Sequence, residues 1–558
     1  MHDYYDLGTY SRPVTTRSPQ AQLWFDRGLL WCYGYNHDES IRCFRKAIEH
    51  DHDCAMAYWG IAYASGPNYN KRWDAFIEQE LKDAVTQARL ATRAALAHGE
   101  GAKPVEQALI RALEQRYQAD EAASVEQLFD WNDAYAASMR DVYKAFPDDP
   151  DVAALFAEAL IDRTPWLLWD LKTGEPAPGA DTLEALAVLE QAMRRVEQHG
   201  DAPHPGVLHM YVHTLEMSPH PERALRAGDV LRDLVPDAGH LRHMPSHIDV
   251  LCGDYRGAMV TNSRAILADG KFLEREGPLN FYTLYRCHNY HFKLYSAMFL
   301  GQYQPALDAA DELMSTIKEE LLRVEQPPMA DWLESFVSMK VHVQIRFGKW
   351  QDILATPLPN DQELYCVTTA MLHYARGVAH AASGHIAAAE AEQRLFINAL
   401  TRVPQTRYLF NNKCTDILAV ADAMLRGEIE YRKGNYDSAF TYLREARSLD
   451  DNLPYDEPWG WMQPVRHALG ALLLEQGCVE EALQAYRADL GLDTTLSRAS
   501  WHLDNVWALH GYVECLTRLG RDAEAAAART RLDLAMARAD VEITASCFCR
   551  VGARCCQG

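Results

Sequence analysis

The sequence predicts an all-α protein of repeated antiparallel helical hairpins, an irregular solenoid that curves into a compact shape. A turn signature and its spacing predict it. The signature Gly-x-Tyr-x-x-Ala recurs between helical patterns at Gly253–Ala258, Gly301–Ala306 and Gly434–Ala439, with weaker copies at Gly384–Ala389, Gly477–Ala482 and Gly520–Ala525. Glycine permits a tight turn, and alanine lets the two joined helices pack closely. Gly434, Gly477 and Gly520 stand 43 residues apart, and Gly253 and Gly301 stand 48 apart. A fixed period of this size marks stacked supersecondary units, and its length points to long helices or loops.

Taken in chain order, an early unit runs over Asn36–Ala47, and Ala55–Ala62 opens the next helix. Residues 72–145 read as helical without a turn signature. Chain breaks fall at Thr173–Ala180, Gly200–Gly206, Gln326–Met329 and Leu453–Pro458. None is long enough for a linker. The expected layout is therefore an N-terminal segment 1–20, one continuous repeat domain 21–545 and a Cys-rich tail 546–558.

Composition narrows the function classes. Of 558 residues, 48% are hydrophobic, including 13 Trp and 27 Tyr, which supplies a large core. The 78 acidic residues outnumber the 55 basic ones, a formal charge of −23, which argues against nucleic-acid or anionic-membrane partners. The start lacks the basic and apolar regions of a secretion signal, and no apolar run approaches membrane-spanning length. A cytoplasmic protein is expected. Isolated cysteines such as Cys32, Cys43 and Cys287 then read as small buried hydrophobes. Cys547, Cys549, Cys555 and Cys556 lie in a tail expected to be disordered, and their spacing is not that of a structural zinc site.

The chemistry-bearing feature is histidine. Residues 204–291 hold 9 of the 22 histidines, but the spacing matters more than the number. His209, His213 and Glu216 stand at i, i+4 and i+7, one stripe of one helix. His240, His243 and His247 stand at i, i+3 and i+7, with Pro245 expected to break or start a helix between them. His288 and His291 form a third pair beside Asn289. The three stretches fall in consecutive hairpins, so their inner faces are expected to converge. Neutral imidazoles suit copper, iron, zinc and nickel, and a surplus of donors can orient ligands or hold two ions. Weaker cavity-lining candidates are Glu158 and Asp162, a carboxylate pair at i, i+4, with Trp59, Asn68 and Asn289. Phosphate loops, dinucleotide fingerprints, nucleophile elbows and zinc-protease motifs are missing from the sequence.

From about residue 20 to 540 the turns resemble the tetratricopeptide repeat (TPR) superfamily. His240–His247, Cys287–Phe292 and Ala57–Gly60 look like stretches in large bacterial TPR proteins and in the tetratricopeptide repeat protein 38 group. The superfamily implies a protein-interaction scaffold, and the subgroup implies no particular reaction. Two readings follow. The first is a metal-dependent enzyme, an oxidoreductase using copper or iron on a small molecule or peptide, with zinc hydrolysis as a variant. The second is a scaffold binding a peptide or protein in the concave groove.

Overall fold

The computed structural model describes residues 4–122 and 124–550. Helical hairpins make up nearly all of it. The sole sheet among the described residues is an antiparallel ladder pairing Tyr408 with Lys413 and Leu409 with Asn412. Among the described residues no helix is long and apolar enough to cross a membrane. The chain divides into two compact units, the first running through Ile248 with Leu267–Arg275, the second comprising Asp249–Ile266 and the chain from Glu276.

Each turn signature does what its chemistry requires. Gly253, Gly301, Gly384, Gly434, Gly477 and Gly520 all have φ between 67° and 83°. Each stands two residues beyond a helix end, as Gly301 does after Tyr282–Phe299 and Gly434 after Cys414–Arg432. The left-handed conformation there closes the helix and aims the chain back along it. Gly348, with φ 62°, adds a further turn of this kind that the sequence pattern did not flag.

The two units solve helix packing in the same way. In the first, Gly28 on Pro19–Tyr33 and Gly60 on Ala55–Ala64 flank the Phe44 ring on the intervening helix His37–His50. A Cβ on either glycine would lie 2.5–2.6 Å from that ring. In the second, Gly470 and Gly511 flank Tyr486 on Val479–Asp489, where a Cβ would meet the ring at 2.2–2.4 Å. An aromatic seated between two glycines lets three successive helices approach closely, the packing unit of a TPR-like hairpin array.

Residues 78–145, helical but without turn signatures, resolve into Glu78–His98, Pro104–Arg116 and Val125–Ala145. Their ends are set by capping: Glu106 reaches back to the Lys103 N–H, and Ser124 accepts from Gln127. Residues 546–550, expected as a disordered end, are folded against the second unit. Ser546 donates to the His467 carbonyl at 2.9 Å, and its own carbonyl accepts from Arg346 at 2.8 Å. Phe548 meets Trp507 edge-on. The aromatic and the paired backbone group explain why this segment is held. Cys547 and Cys549 are disulfide-bonded to each other, and Cys555 and Cys556 lie outside the described residues.

Candidate metal centre

Helix Pro205–Glu216 begins with His204 as N-cap, its Nδ1 accepting from the Val207 N–H at 3.1 Å. Every residue of the helix is buried. Gly206 brings it close to the end of Pro19–Tyr33, because a Cβ there would lie 2.7 Å from the Tyr33 ring. That approach places the Tyr33 carbonyl 2.7 Å from Nδ1 of His209. Four and seven residues further on, the stripe brings His213 and Glu216 onto the same face.

The second stretch folds as two short helices. His240 and His243 occupy Gly239–His243, and Pro245 begins Pro245–Leu251 with His247 in its first turn. The break at Met244 follows from Pro245, which cannot donate within a continuous helix. Both stretches lie in the first unit, and it brings them together. One ring nitrogen each from His209, His213 and His240 lies within 4.8 Å of the others. Nε2 of His209 and Nε2 of His240 are 3.2 Å apart, and Nε2 of His243 and Nε2 of His247 are 2.8 Å apart. All these side chains and Glu216 are buried.

Partners on the far nitrogens fix the tautomers. A carbonyl only accepts, so His209 carries its proton on Nδ1 and presents a bare Nε2. Glu216 Oε1 accepts the Nδ1 proton of His213 at 3.0 Å, and Oε2 lies 2.9 Å from Nδ1 of His247. Nε2 of His213 then has no hydrogen-bond partner among the described residues, although it is buried. Nε2 of His240 lies within hydrogen-bond reach of both Nε2 of His209, at 3.2 Å, and the Asn70 amide, at 3.5 Å. Three ring nitrogens therefore converge in a buried space. Protonation does not relieve the crowding. Burial, followed by the charge of His213, holds His209 well below the ordinary 6.5. Burial and then His247 do the same to His213, and burial followed by four neighbouring imidazoles does so to His240. Neutral rings with bare Nε2 and an anchored Nδ1–H are the form in which histidine binds transition metals. Ligands on one ion at about 2.05 Å stand about 2.9–3.4 Å apart for bond angles of roughly 90–110°. The 3.2 Å pair lies in that window.

Aromatic rings enclose the set. The Tyr35 ring lies 4.7 Å from His209, 5.4 Å from His240 and 5.8 Å from His213, and Tyr69 lies 4.7 Å from His213. Tyr35 has φ 55° and stands two residues past the helix Pro19–Tyr33, the position glycine takes in the other turns. Trp166, 5.1 Å from Tyr69, also has positive φ, at 61°. Strained backbone at two aromatics beside one cluster is a mark of functional sites. Neither Tyr35 nor Tyr69 carries a local sequence signal of this role; Tyr35 shows only as a tyrosine where a turn glycine belongs.

The other sequence candidates make contacts of their own. Glu158 accepts from Tyr63, and Asp162 from Arg116 at 3.4 Å, so the carboxylate pair serves a buried arginine rather than the histidines. Burial pushes Glu158 up to about 7 against the hydroxyls of Tyr63 and Tyr35 and the charge of Arg116. Trp59 stacks on Tyr63 as core. Asn68 caps the turn that carries Asn70, accepting from the Asn70 and Lys71 N–H groups. His288, Asn289 and His291 belong to the second unit on Tyr282–Phe299. There His288 packs on Phe292 and Phe410, and Nε2 of His291 faces Met462 Sδ at 2.8 Å.

No protein-family model matches the sequence, and no curated protein does. Solved structures give loose likenesses. Yeast Tom70 is 12% identical over 92% of this chain and 96% of its own, with a TM-score of 0.28. The human IFIT1 dimer with m7Gppp-AAAA is 10% identical over 94% and 92%, at 0.31. The Cut9–Hcn1 hetero-tetramer of the APC/C is 13% identical over 87% and 77%, at 0.30. Scores this low superpose poorly, so the hairpin architecture stands on the chain's own turns and glycine–aromatic packing.

Proposed function

We propose that His209, His213 and His240 bind a transition-metal ion through Nε2 and that the protein is a metal-dependent enzyme. One observation supports the reading: three buried imidazoles bring one ring nitrogen each within 4.8 Å of the others, with His209 and His213 oriented through Nδ1–H to Tyr33 O and Glu216. Glu216 orients His213 through Oε1, and the direct donors proposed for this set are nitrogen. An all-imidazole set suits copper, iron or zinc, and three protein ligands leave a position for a reacting molecule. Oxidative chemistry by copper or iron on a small molecule or peptide is the favoured reaction class; zinc would direct the same site to hydrolysis by activating water.

Elemental analysis of the purified protein beside His213→Ala tests the proposal. At least one equivalent of copper, iron or zinc is expected in the parent, with a loss of tenfold or more in affinity in the variant. Metal at trace level in both, after exposure to each of the three ions, would overturn the metal centre and leave the peptide-binding scaffold as the better account.

A further inference from the structure

Residues 546–550 bring a different reactive group to the second unit. Cys547 and Cys549 form a disulfide, and both line a cavity of about 30 Å³. That is room for about two waters, or for the CH2–S end of an unbranched thiol. Trp350, Tyr374 and Trp461 make much of the wall apolar. Cys549 is 4% exposed, whereas Cys547 is only half-buried, so Cys547 is the sulfur an incoming thiol reaches. The segment is held by contacts other than the S–S bond. Tyr486 and Ser546 share a hydroxyl hydrogen bond at 2.6 Å, the Cys549 carbonyl accepts from Arg432, and Arg550 pairs with Glu514 at 2.7 Å. Opening the bond therefore leaves both sulfurs at the cavity.

The surroundings favour sulfur in its anionic form. The Cys549 N–H donates to Cys547 Sγ at 3.2 Å. Arg346, a buried residue of the cavity wall, donates to His467 Nδ1 and to the Ser546 carbonyl, both at 2.8 Å. Burial holds His467 down to about 4, so both partners are neutral. Arg346 Nε has no acceptor among the described residues. Asp489 stands beyond His467 and is bonded to it, to His502 and to Asn505. Glu428, also on the wall, is paired with Arg432 at 2.8 Å. A guanidinium with uncharged partners and a backbone N–H are the features that lower the cost of a thiolate.

We propose that Cys547–Cys549 is a redox centre that oxidises small aliphatic thiols by thiol–disulfide exchange. The substrate thiolate attacks Cys547 Sγ, the S–S bond breaks, and Cys549 leaves as a thiolate. A second substrate thiolate attacks the substrate sulfur of the mixed disulfide and releases Cys547 as a thiolate beside the Cys549 N–H. Two thiols have then given two electrons to the protein and become one disulfide. Their two protons pass to the cysteine sulfurs or to water. This centre lies wholly in the second unit and does not depend on the metal reading.

The test treats air-oxidised, full-length protein with β-mercaptoethanol, quenches with iodoacetamide and maps the cysteines by peptide mass spectrometry, beside a urea-unfolded sample. The folded chain is expected to lose the Cys547–Cys549 bond at least about tenfold faster than the unfolded one. Cys549→Ser, exposed to hydroxyethyl disulfide, should trap the mixed disulfide on Cys547; Cys547→Ser should trap it on Cys549 at least about tenfold more slowly. Arg346→Gln should slow loss of the native bond about tenfold, and Arg346→Lys should restore most of the rate. Two free thiols at these positions in the oxidised protein would overturn the proposal. So would a native bond reduced no faster than the unfolded one, or equal trapping at the two cysteines. The parent's own rates need no variant, so a substitution that fails to fold leaves the proposal decidable.

Discussion

In the proposed centre, His213 is oriented entirely by its neighbours. Its Nδ1 is committed to Glu216, and its Nε2 is left bare in the buried set. Glu216→Gln keeps the volume but offers a weaker, uncharged acceptor. Metal affinity is expected to fall about 10–100-fold, the usual cost of losing an outer hydrogen bond to a ligand, while the helix content by circular dichroism is unchanged. Tyr35 presents a contest of two terms. Tyr35→Gly removes a left-handed strain of about 1–2 kcal/mol but also a buried aromatic worth about 3–5 kcal/mol. Packing wins, so denaturant unfolding should show a net loss of about 2–3 kcal/mol rather than a gain. In the second unit, burial lowers His342 from 6.5 to about 4. The unfolded chain takes up that proton first as pH falls. The contribution is therefore present above 6.5 and is lost on acidification toward 4, by about 1.4 kcal/mol per unit. The stability gap between the parent and His342→Gln should narrow by about 2 kcal/mol between pH 7.5 and pH 5 in urea titrations.

At the scale of elements, glycines decide where helices meet. Gly206 sets the distance between Pro205–Glu216 and the Tyr33 carbonyl that orients His209. Gly206→Ala puts a Cβ 2.7 Å from the Tyr33 ring and must shift one helix. Overpacking of this kind costs about 1–3 kcal/mol, and the shift should lengthen the His209 anchor. The expected outcome is a lower thermal midpoint together with weaker metal retention on a chelator titration. Gly60→Ala loads the Phe44 ring in the same way but lies on another helix pair. It should lower the midpoint without the accompanying loss of metal, which separates damage to the scaffold from damage to the centre.

For the whole molecule, metal binding and folding are linked wherever the ligands come from separate elements. The proposed centre joins Pro205–Glu216 to the two helices at Gly239–His243 and Pro245–Leu251. An ion at 100 times its dissociation constant stabilises the state that binds it by about 2.7 kcal/mol. Hydrogen exchange followed by mass spectrometry should slow across those segments when Cu(II) or Zn(II) is added to stripped protein. The Gly470–Tyr486–Gly511 stack belongs to the other unit and should exchange at an unchanged rate. Uniform slowing across both units would argue for general compaction instead of a local centre.

The hairpin repeat was legible in the chain because its information is local. A glycine two residues past a helix end reports the left-handed turn by itself, and six such turns were readable from their spacing. The histidine stretches were legible for the same reason, since i, i+4 and i+7 are neighbours on any helix. Convergence was expected from their consecutive hairpins, but the residues that enclose the set were not legible. Tyr35 enters the site through a turn and Asn70 through a capped bend, at sequence separations of 174 and 170 from His209 and His240, respectively. The assignment of Glu158 and Asp162 to Arg116 instead of the histidines depended on which helix arrived beside them. Helical periodicity fixes which side chains share a face. Only tertiary packing, governed by volumes such as the missing Cβ of Gly206, decides what that face meets and which nitrogen of each ring is left bare.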